Sequence, residues 1–165
     1  MSMSASTESN MYDGLESLDL SSNEFNHREL ESLMYVFANY HRLRELNLTD
    51  SNNSHITPAV WRILVQLMQS PTSMLESLKM GQTRCNDGYL DSLMNALFNN
   101  SRLTELDLHS LVGNVTAIGR QTCVAILLRN PNISLEYFNL SDNGICCCVR
   151  VLLADALANN IRLKK

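Results

Sequence analysis

One short pattern recurs along the chain and constrains its fold more than any other feature. Residues 15–23 read Leu-Glu-Ser-Leu-Asp-Leu-Ser-Ser-Asn, or L-x-x-L-x-L-x-x-N. Equivalent blocks begin at Leu43, Leu75, Leu103 and Leu135, and a sixth begins at Leu163. The first leucines lie 28, 32, 28, 32 and 28 residues apart, so the larger unit is a pair of about 60 residues. A fixed period of this size is typical of solenoids, in which each unit stacks on its neighbour.

The spacing within each repeat predicts one strand followed by one helix. In the block, the fourth and sixth positions share one face of an extended strand, and the third and fifth positions point the opposite way. Further along the first repeat, Leu30, Leu33, Met34 and Phe37 form the apolar stripe of a helix. One strand and one helix cannot bury both apolar faces alone, whereas stacked copies bury them in a continuous core. The sequence therefore predicts an α/β solenoid with parallel strands inside and helices outside.

These blocks resemble a known family. The five blocks, Asn23 and Asn143 at their ninth positions, and the tails ALFNNSRL and ALANNIRL resemble the leucine-rich-repeat family, specifically its ribonuclease-inhibitor-like subclass. The resemblance covers residues 15–165 and implies a right-handed horseshoe arc, with the parallel sheet on its concave side and the helices on its convex side. It also implies a ladder of ninth-position asparagines that bond backbone groups. In the middle repeats that position holds Ser51, Thr83 and Leu111. We therefore expect irregular loops there. Because this fold carries many unrelated activities, the resemblance implies a fold and not a function.

The repeats divide the chain into a leader and a single domain. Residues 1–14 are Ser-rich and predict a disordered N-terminal leader. The repeat domain spans 15–165, and its repeats are 15–42, 43–74, 75–102, 103–134 and 135–162, with the start of a sixth at 163. Asn26, Asn86 and Thr57 each stand where a helix N-cap is expected, and Pro58 suits the first helical position.

Charge and composition limit the classes of function. The chain has 165 residues and a net charge of −4, which argues against a nucleic-acid or anionic-membrane binder. No apolar run approaches the 18 residues that a transmembrane helix needs. The N-terminus has no apolar segment of the kind found in signal peptides. We therefore expect an intracellular, cytoplasmic protein.

The cysteines and histidines do not form a catalytic pattern. The five cysteines include the adjacent Cys146, Cys147 and Cys148, a spacing that does not make a disulfide framework. Three adjacent residues cannot all bind one tetrahedral zinc ion. We predict reduced, metal-free cysteines, with a reactive thiol at a helix N-terminus as the alternative. The four histidines lie in different repeats without nucleophile or zinc-binding spacing. The sequence predicts no enzyme and no cofactor.

The concave face is predicted to bind a protein. Positions 3, 5, 7 and 8 of the five blocks give twenty inward side chains, of which six are acidic and one, Lys79, is basic. Their net charge of −5 exceeds the −4 of the whole chain, so the negative charge is concentrated there. This predicts a partner with a basic or amide-rich surface. The candidate partner-binding residues are Asp19, Glu45, Asn47, Lys79, Glu105, Asp107, His109, Tyr137 and Asn139.

Two other functions are open from the sequence. One is the regulation of an enzyme, such as the role of a GTPase-activating protein, although no charged residue outside the repeat pattern suits it. The other is a structural segment of a larger receptor or ubiquitin-ligase adaptor.

Overall fold

The computed structural model describes residues 14–37, 42–49, 56–116, 119, 130, 133–145, 147–158, 160 and 162–164. Within these residues the chain forms seven short strands and four helices. The strands are Ser17–Asp19 (β1), Glu45–Asn47 (β2), Ser77–Lys79 (β3), Arg84–Asn86 (β4), Glu105–Asp107 (β5), Val112–Asn114 (β6) and Tyr137–Asn139 (β7). The helices are His27–Phe37 (α1), Pro58–Gln69 (α2), Asp87–Phe98 (α3) and Cys147–Ala158 (α4).

Five strands form the main sheet in the order β1-β2-β3-β5-β7, and every neighbouring pair is parallel. Each strand pairs with the next at the same position of the repeat, so equivalent residues form columns across the sheet. The predicted α/β fold with a parallel sheet and helices is confirmed. The third-position column is Ser17, Glu45, Ser77, Glu105 and Tyr137. The fifth-position column is Asp19, Asn47, Lys79, Asp107 and Asn139.

The fourth-position column enters the core on the other side of the sheet. Leu46, Leu78 and Leu106 are at most 1% exposed and belong to one cluster with the buried residues of α1, α2 and α3. At the two ends of the sheet, Leu18 and Phe138 are only half-buried. Alternation of side chains along a strand thus gives the sheet one apolar face and one polar face.

The helices begin where side chains satisfy their first backbone N–H groups. Asn26 accepts bonds from the N–H groups of Arg28 and Glu29, and the Glu29 carboxylate accepts the Asn26 N–H at 2.9 Å. This reciprocal arrangement is a capping box. Asn86 and Thr57 each accept a bond from the N–H three residues later. All three predicted helix starts are confirmed.

The turn after each strand has one conformation throughout the described blocks. The eighth-position residues Ser22, Gln82, Ser110 and Asp142 have φ between 50° and 59°, in the left-handed region. In the first, third and fourth blocks the eighth-position N–H donates to the seventh-position carbonyl of the next block, at 2.8–3.0 Å. The expectation of irregular loops in the third and fourth repeats is therefore wrong at the turn. The backbone ladder continues through the turn, so the regularity does not depend on a ninth-position asparagine.

Different side chains fill the ninth position. Asn143 is 4% exposed; its amide nitrogen donates to the Leu108 carbonyl at 2.7 Å, and its amide oxygen accepts the Leu111 N–H at 2.9 Å. In the third repeat the Thr83 hydroxyl donates to the Met80 carbonyl at 2.7 Å. A buried carbonyl thus finds a donor in either case, which is what burial of backbone requires.

A second, two-stranded parallel sheet, β4 with β6, follows the turns of the third and fourth repeats and was not predicted. Gly113 lies opposite Cys85 and has a φ of +111°. A Cβ atom at that position would lie 2.6 Å from the Cys85 carbonyl oxygen, so the close approach requires glycine. The strands are too short, and too poor in alternating apolar residues, to be recognised from the sequence.

Several predictions concern residues outside the described ranges. These residues are the leader up to residue 13, the loop at 50–55, Cys146, the side chains of Cys147 and Cys148, and most of the segment 117–129. The division into five repeats, the boundaries of the domain and the horseshoe shape stay predictions. No helix in the described part of the chain is long and apolar enough to cross a membrane.

Candidate partner-binding face

The sequence-predicted partner-binding residues lie together on one side of the main sheet. Eight of the nine come from the third- and fifth-position columns, and His109 lies two residues after β5. We call these two columns together with His109 the polar face. The shared strand register explains why residues up to 120 positions apart in the chain form one surface. Their placement follows the prediction, and their role in binding stays a prediction.

The fifth-position side chains hold the turns that follow their strands. In four of the five strands this residue is Asp or Asn, and its side-chain oxygen accepts the backbone N–H two residues later. The acceptors are Asp19, Asn47, Asp107 and Asn139, at distances of 2.8, 3.0, 2.9 and 3.0 Å. This arrangement is an Asx turn, which short polar side chains form readily. Four residues predicted only as contacts therefore also have a structural role, which the sequence analysis missed.

The middle strand departs from this pattern. Its fifth position is Lys79, which cannot accept a hydrogen bond, and its seventh position is Gly81. A Cβ atom at Gly81 would lie 2.0–2.7 Å from three ring atoms of His109, so the imidazole occupies the space that a side chain would need. The His109 Nδ1 atom lies 2.8 Å from an oxygen of Asp107. The glycine therefore leaves room for the His109 ring, and the lysine interrupts the run of Asp and Asn at the fifth position.

A serine and a glutamate bond across neighbouring strands in both 60-residue units. The Ser17 hydroxyl donates to Glu45 at 2.9 Å, and the Ser77 hydroxyl donates to Glu105 at 2.7 Å. In the second unit the Lys79 ammonium also lies 3.1 Å from the Glu105 carboxylate. The corresponding position in the first unit is Asp19, another carboxylate.

The charge of the face is partly neutralised internally. The Lys79 ammonium pairs with Glu105, and the His109 ring lies against Asp107. In the described part of the chain, Asp19 and Glu45 have no salt bridge. The pKa of Asp19 lies below its ordinary value, first because the Ser21 side chain and backbone donate hydrogen bonds to it and, to a smaller degree, because of the Lys79 charge. On β1 and β2, the carboxylates Asp19 and Glu45 therefore have no cationic partner among the described residues.

A small cavity opens on the polar face at this place. Its volume is about 90 Å³, and it lies over β1, β2 and β3. The cavity lining includes Ser17, Asp19, Glu45, Asn47, Ser77 and Lys79. These side chains offer hydroxyl, carboxylate, amide and ammonium groups. They suit hydrogen bonding and ion pairing with a side chain of a partner.

Metal-binding and nucleophilic groups are few among the described residues. They contain no group of three His, Cys, Asp or Glu side chains that could hold a metal ion. Cys85 is free and 4% exposed, and burial raises the pKa of its thiol to about 12. A thiol held protonated is a poor nucleophile. The predicted absence of enzymatic activity, of a cofactor and of a bound metal remains untested.

Two solved structures have a similar fold. One is the tropomodulin C-terminal domain of Caenorhabditis elegans, which is 16% identical with a TM-score of 0.65, and the match covers 90% of this chain and 85% of that one. The other is described as leiomodin-1 actin-binding site 2, which is 14% identical with a TM-score of 0.69, and the match covers 90% of this chain and 82% of that one. No protein-family model and no curated protein matches the sequence.

These comparisons correct the family named from the sequence. The assignment to the ribonuclease-inhibitor-like subclass of leucine-rich-repeat proteins is wrong, because the similar structures are tropomodulin and leiomodin domains and no family model matches. The L-x-x-L-x-L spacing reports a strand with one buried face, a requirement common to many stacked β-α units, and does not separate one subclass from another. At 14–16% identity the likeness shows the fold, which this chain shares with those domains.

Proposed function

We propose that this chain is a protein-binding module and that the polar face is its binding surface. The observation that carries the proposal is the in-register sheet, which places ten polar or aromatic side chains in two columns, all of them exposed or half-buried except Ser77. Five parallel strands at a spacing of about 4.8 Å make a platform roughly 20–25 Å wide. Three-residue strands make it roughly 10 Å deep, so the polar face would supply part of a standard interface of about 800 Å² per partner.

Rigidity of the face supports the same proposal. Four Asx turns fix the fifth-position side chains, and the two Ser–Glu bonds fix the third-position glutamates. Side chains that are held before binding lose less conformational entropy when the partner arrives. Tyr137 adds an amphipathic ring at the end of the third-position column, and tyrosine is enriched among residues that dominate binding energy.

Actin is the first partner to test. The sequence predicted a partner with a basic or amide-rich surface, but the Lys79–Glu105 pair reduces the field that would attract a broadly basic protein. The leiomodin-1 domain of similar fold is described as an actin-binding site. We therefore still propose a protein partner, and actin replaces a broadly basic protein as the first candidate.

The remaining sequence predictions join this proposal. We propose that the five strands belong to five repeats of one curved domain, with the polar face on its concave side, and that binding rather than catalysis is its activity. An intracellular location would suit actin and a free, reduced Cys85. No observation favours a GTPase-activating role or a purely structural segment of a receptor or ubiquitin-ligase adaptor.

Co-sedimentation with actin filaments tests the proposal, with a native-gel shift for monomeric actin run beside it. We expect saturable binding to one of the two forms, weakened by Tyr137→Ala on the polar face. Phe98→Ser serves as the control, because Phe98 is 50% exposed and lies on α3. If the wild-type chain binds neither form, actin is not the partner. If Phe98→Ser abolishes binding while Tyr137→Ala does not, the surface is misassigned.

A further inference from the structure

The two 60-residue units of the chain carry the same Ser–Glu bond with different surroundings. In the second unit, Ser77 and the Lys79 ammonium both bond the Glu105 carboxylate, at 2.7 and 3.1 Å. In the first unit, Ser17 bonds Glu45 in the same way, at 2.9 Å. The residue in register with the lysine is Asp19. Glu45 in the first unit therefore corresponds to Glu105 in the second, but no ammonium group pairs with Glu45.

The cavity lies beside the position at which the first unit has Asp19 in place of a lysine. Asp19 and Glu45 both line the volume of about 90 Å³ over β1, β2 and β3, together with Asn47. Asp19 and Glu45 are exposed and have no salt bridge among the described residues. Lys79 also lines the cavity, but its ammonium pairs with Glu105. Asp19 and Glu45 thus line the cavity without an ion pair of their own among the described residues.

From this internal comparison we propose that the cavity between Asp19 and Glu45 receives one cationic side chain, arginine or lysine, of the partner protein. The chain itself displays the chemistry, since Lys79 already occupies the equivalent place in the second unit. Arginine suits the site well, because its planar group can donate to two carboxylates at once. The inference deepens the proposed function by naming one anchoring contact. It requires a single exposed cation on the partner and no broadly basic surface.

A side-chain probe tests the site without the partner. Acetyl-arginine amide is titrated into the ¹⁵N-labelled full chain, and amide shifts are followed by NMR; acetyl-citrulline amide, a neutral isostere, is the matched probe. We expect saturable shifts at residues 17–19 and 45–47 with the arginine probe only. Equal shifts with citrulline, or arginine shifts spread over the whole surface, would overturn the proposal.

Conservative variants assign the contact to named carboxylates. Asp19→Asn keeps the Asx turn, as Asn47 and Asn139 show, and Glu45→Gln keeps an acceptor for Ser17. Each should weaken the arginine probe about 1.5- to 5-fold, the range for one exposed ion pair, and the double variant should remove the localised shifts. Asp142→Asn removes the same charge outside the cavity and should leave binding unchanged.

A further variant supplies the cation from the chain itself. Asp19→Lys should place an ammonium against Glu45, as Lys79 does against Glu105, and should abolish binding of the arginine probe. Retained binding in Asp19→Lys would contradict the proposal. The experiment contains no actin, so its failure concerns the cavity alone. Loss of co-sedimentation in the wild-type chain would concern the choice of actin alone.

Discussion

Leu106→Ala tests the register on which the polar face depends. Leu106 is fully buried at the fourth position of β5 and lies between Leu78 of β3 and Phe138 of β7. Truncation removes three carbons from a space whose walls are held by paired strands on both sides, so little collapse can fill the cavity. We expect a loss of about 3–5 kcal/mol in the free energy of unfolding, in the upper part of the range for buried Leu→Ala changes.

The matched control is Leu18→Ala, at the same position of the edge strand β1. Leu18 is half-buried and has a paired strand on one side in the described chain. Partial burial of one leucine predicts a loss of about 1 kcal/mol. Urea unfolding followed by circular dichroism measures both. With a slope of about 1–3 kcal/mol/M, the Leu106→Ala midpoint should fall by more than about 1 M. A loss under 1 kcal/mol for Leu106→Ala, or equal losses in both variants, would refute the assigned register.

Three further predictions follow from single side chains. Asp107→Asn should keep the turn that positions His109, whereas Asp107→Ala should cost about 0.5–1.5 kcal/mol in urea unfolding, because the acceptor is lost. Equal stability of the two variants would contradict that role. Asn143→Ala leaves buried backbone groups unpaired and should cost about 1–3 kcal/mol, while the exposed Asn23→Ala should cost far less; a reversed order would disprove the account. Because the pKa of Cys85 is raised to about 12, its thiol should not react with a disulfide reagent at pH 8 until urea unfolds the chain, and rapid labelling of the native thiol would show otherwise.

The sequence predicted the sheet well because a repeat period fixes register without any knowledge of side-chain contacts. Equivalent leucines must fall in one column if each unit stacks on the last, and Leu46, Leu78 and Leu106 do so. The N-caps at Asn26 and Asn86 were also predictable, since they depend on residues within one turn of helix. The strand register and the helix N-caps could therefore be predicted from the sequence.

Contacts between neighbouring repeats were not predictable in the same way. The Lys79–Glu105 pair joins residues 26 positions apart, and nothing in the sequence selects Glu105 over Glu45 as the partner. The Asx turns could have been found, because Asp or Asn stands at the fifth position of four blocks. The Asp and Asn residues at this position led only to the prediction of a polar binding face. The second sheet was missed because strands of three residues, one of them with a central glycine, carry no periodic signal.

Actin binding by variants of the polar face decides whether this side of the sheet is the binding surface. The wild-type chain, Tyr137→Ala, Asp19→Asn with Glu45→Gln, and Phe98→Ser would be compared in one co-sedimentation series, each first checked for unchanged urea unfolding. The account predicts saturable binding by the wild-type chain and by Phe98→Ser, and weaker binding by both polar-face variants. Unchanged binding by the two polar-face variants, with loss in Phe98→Ser, would contradict the claim that this sheet face is the binding surface.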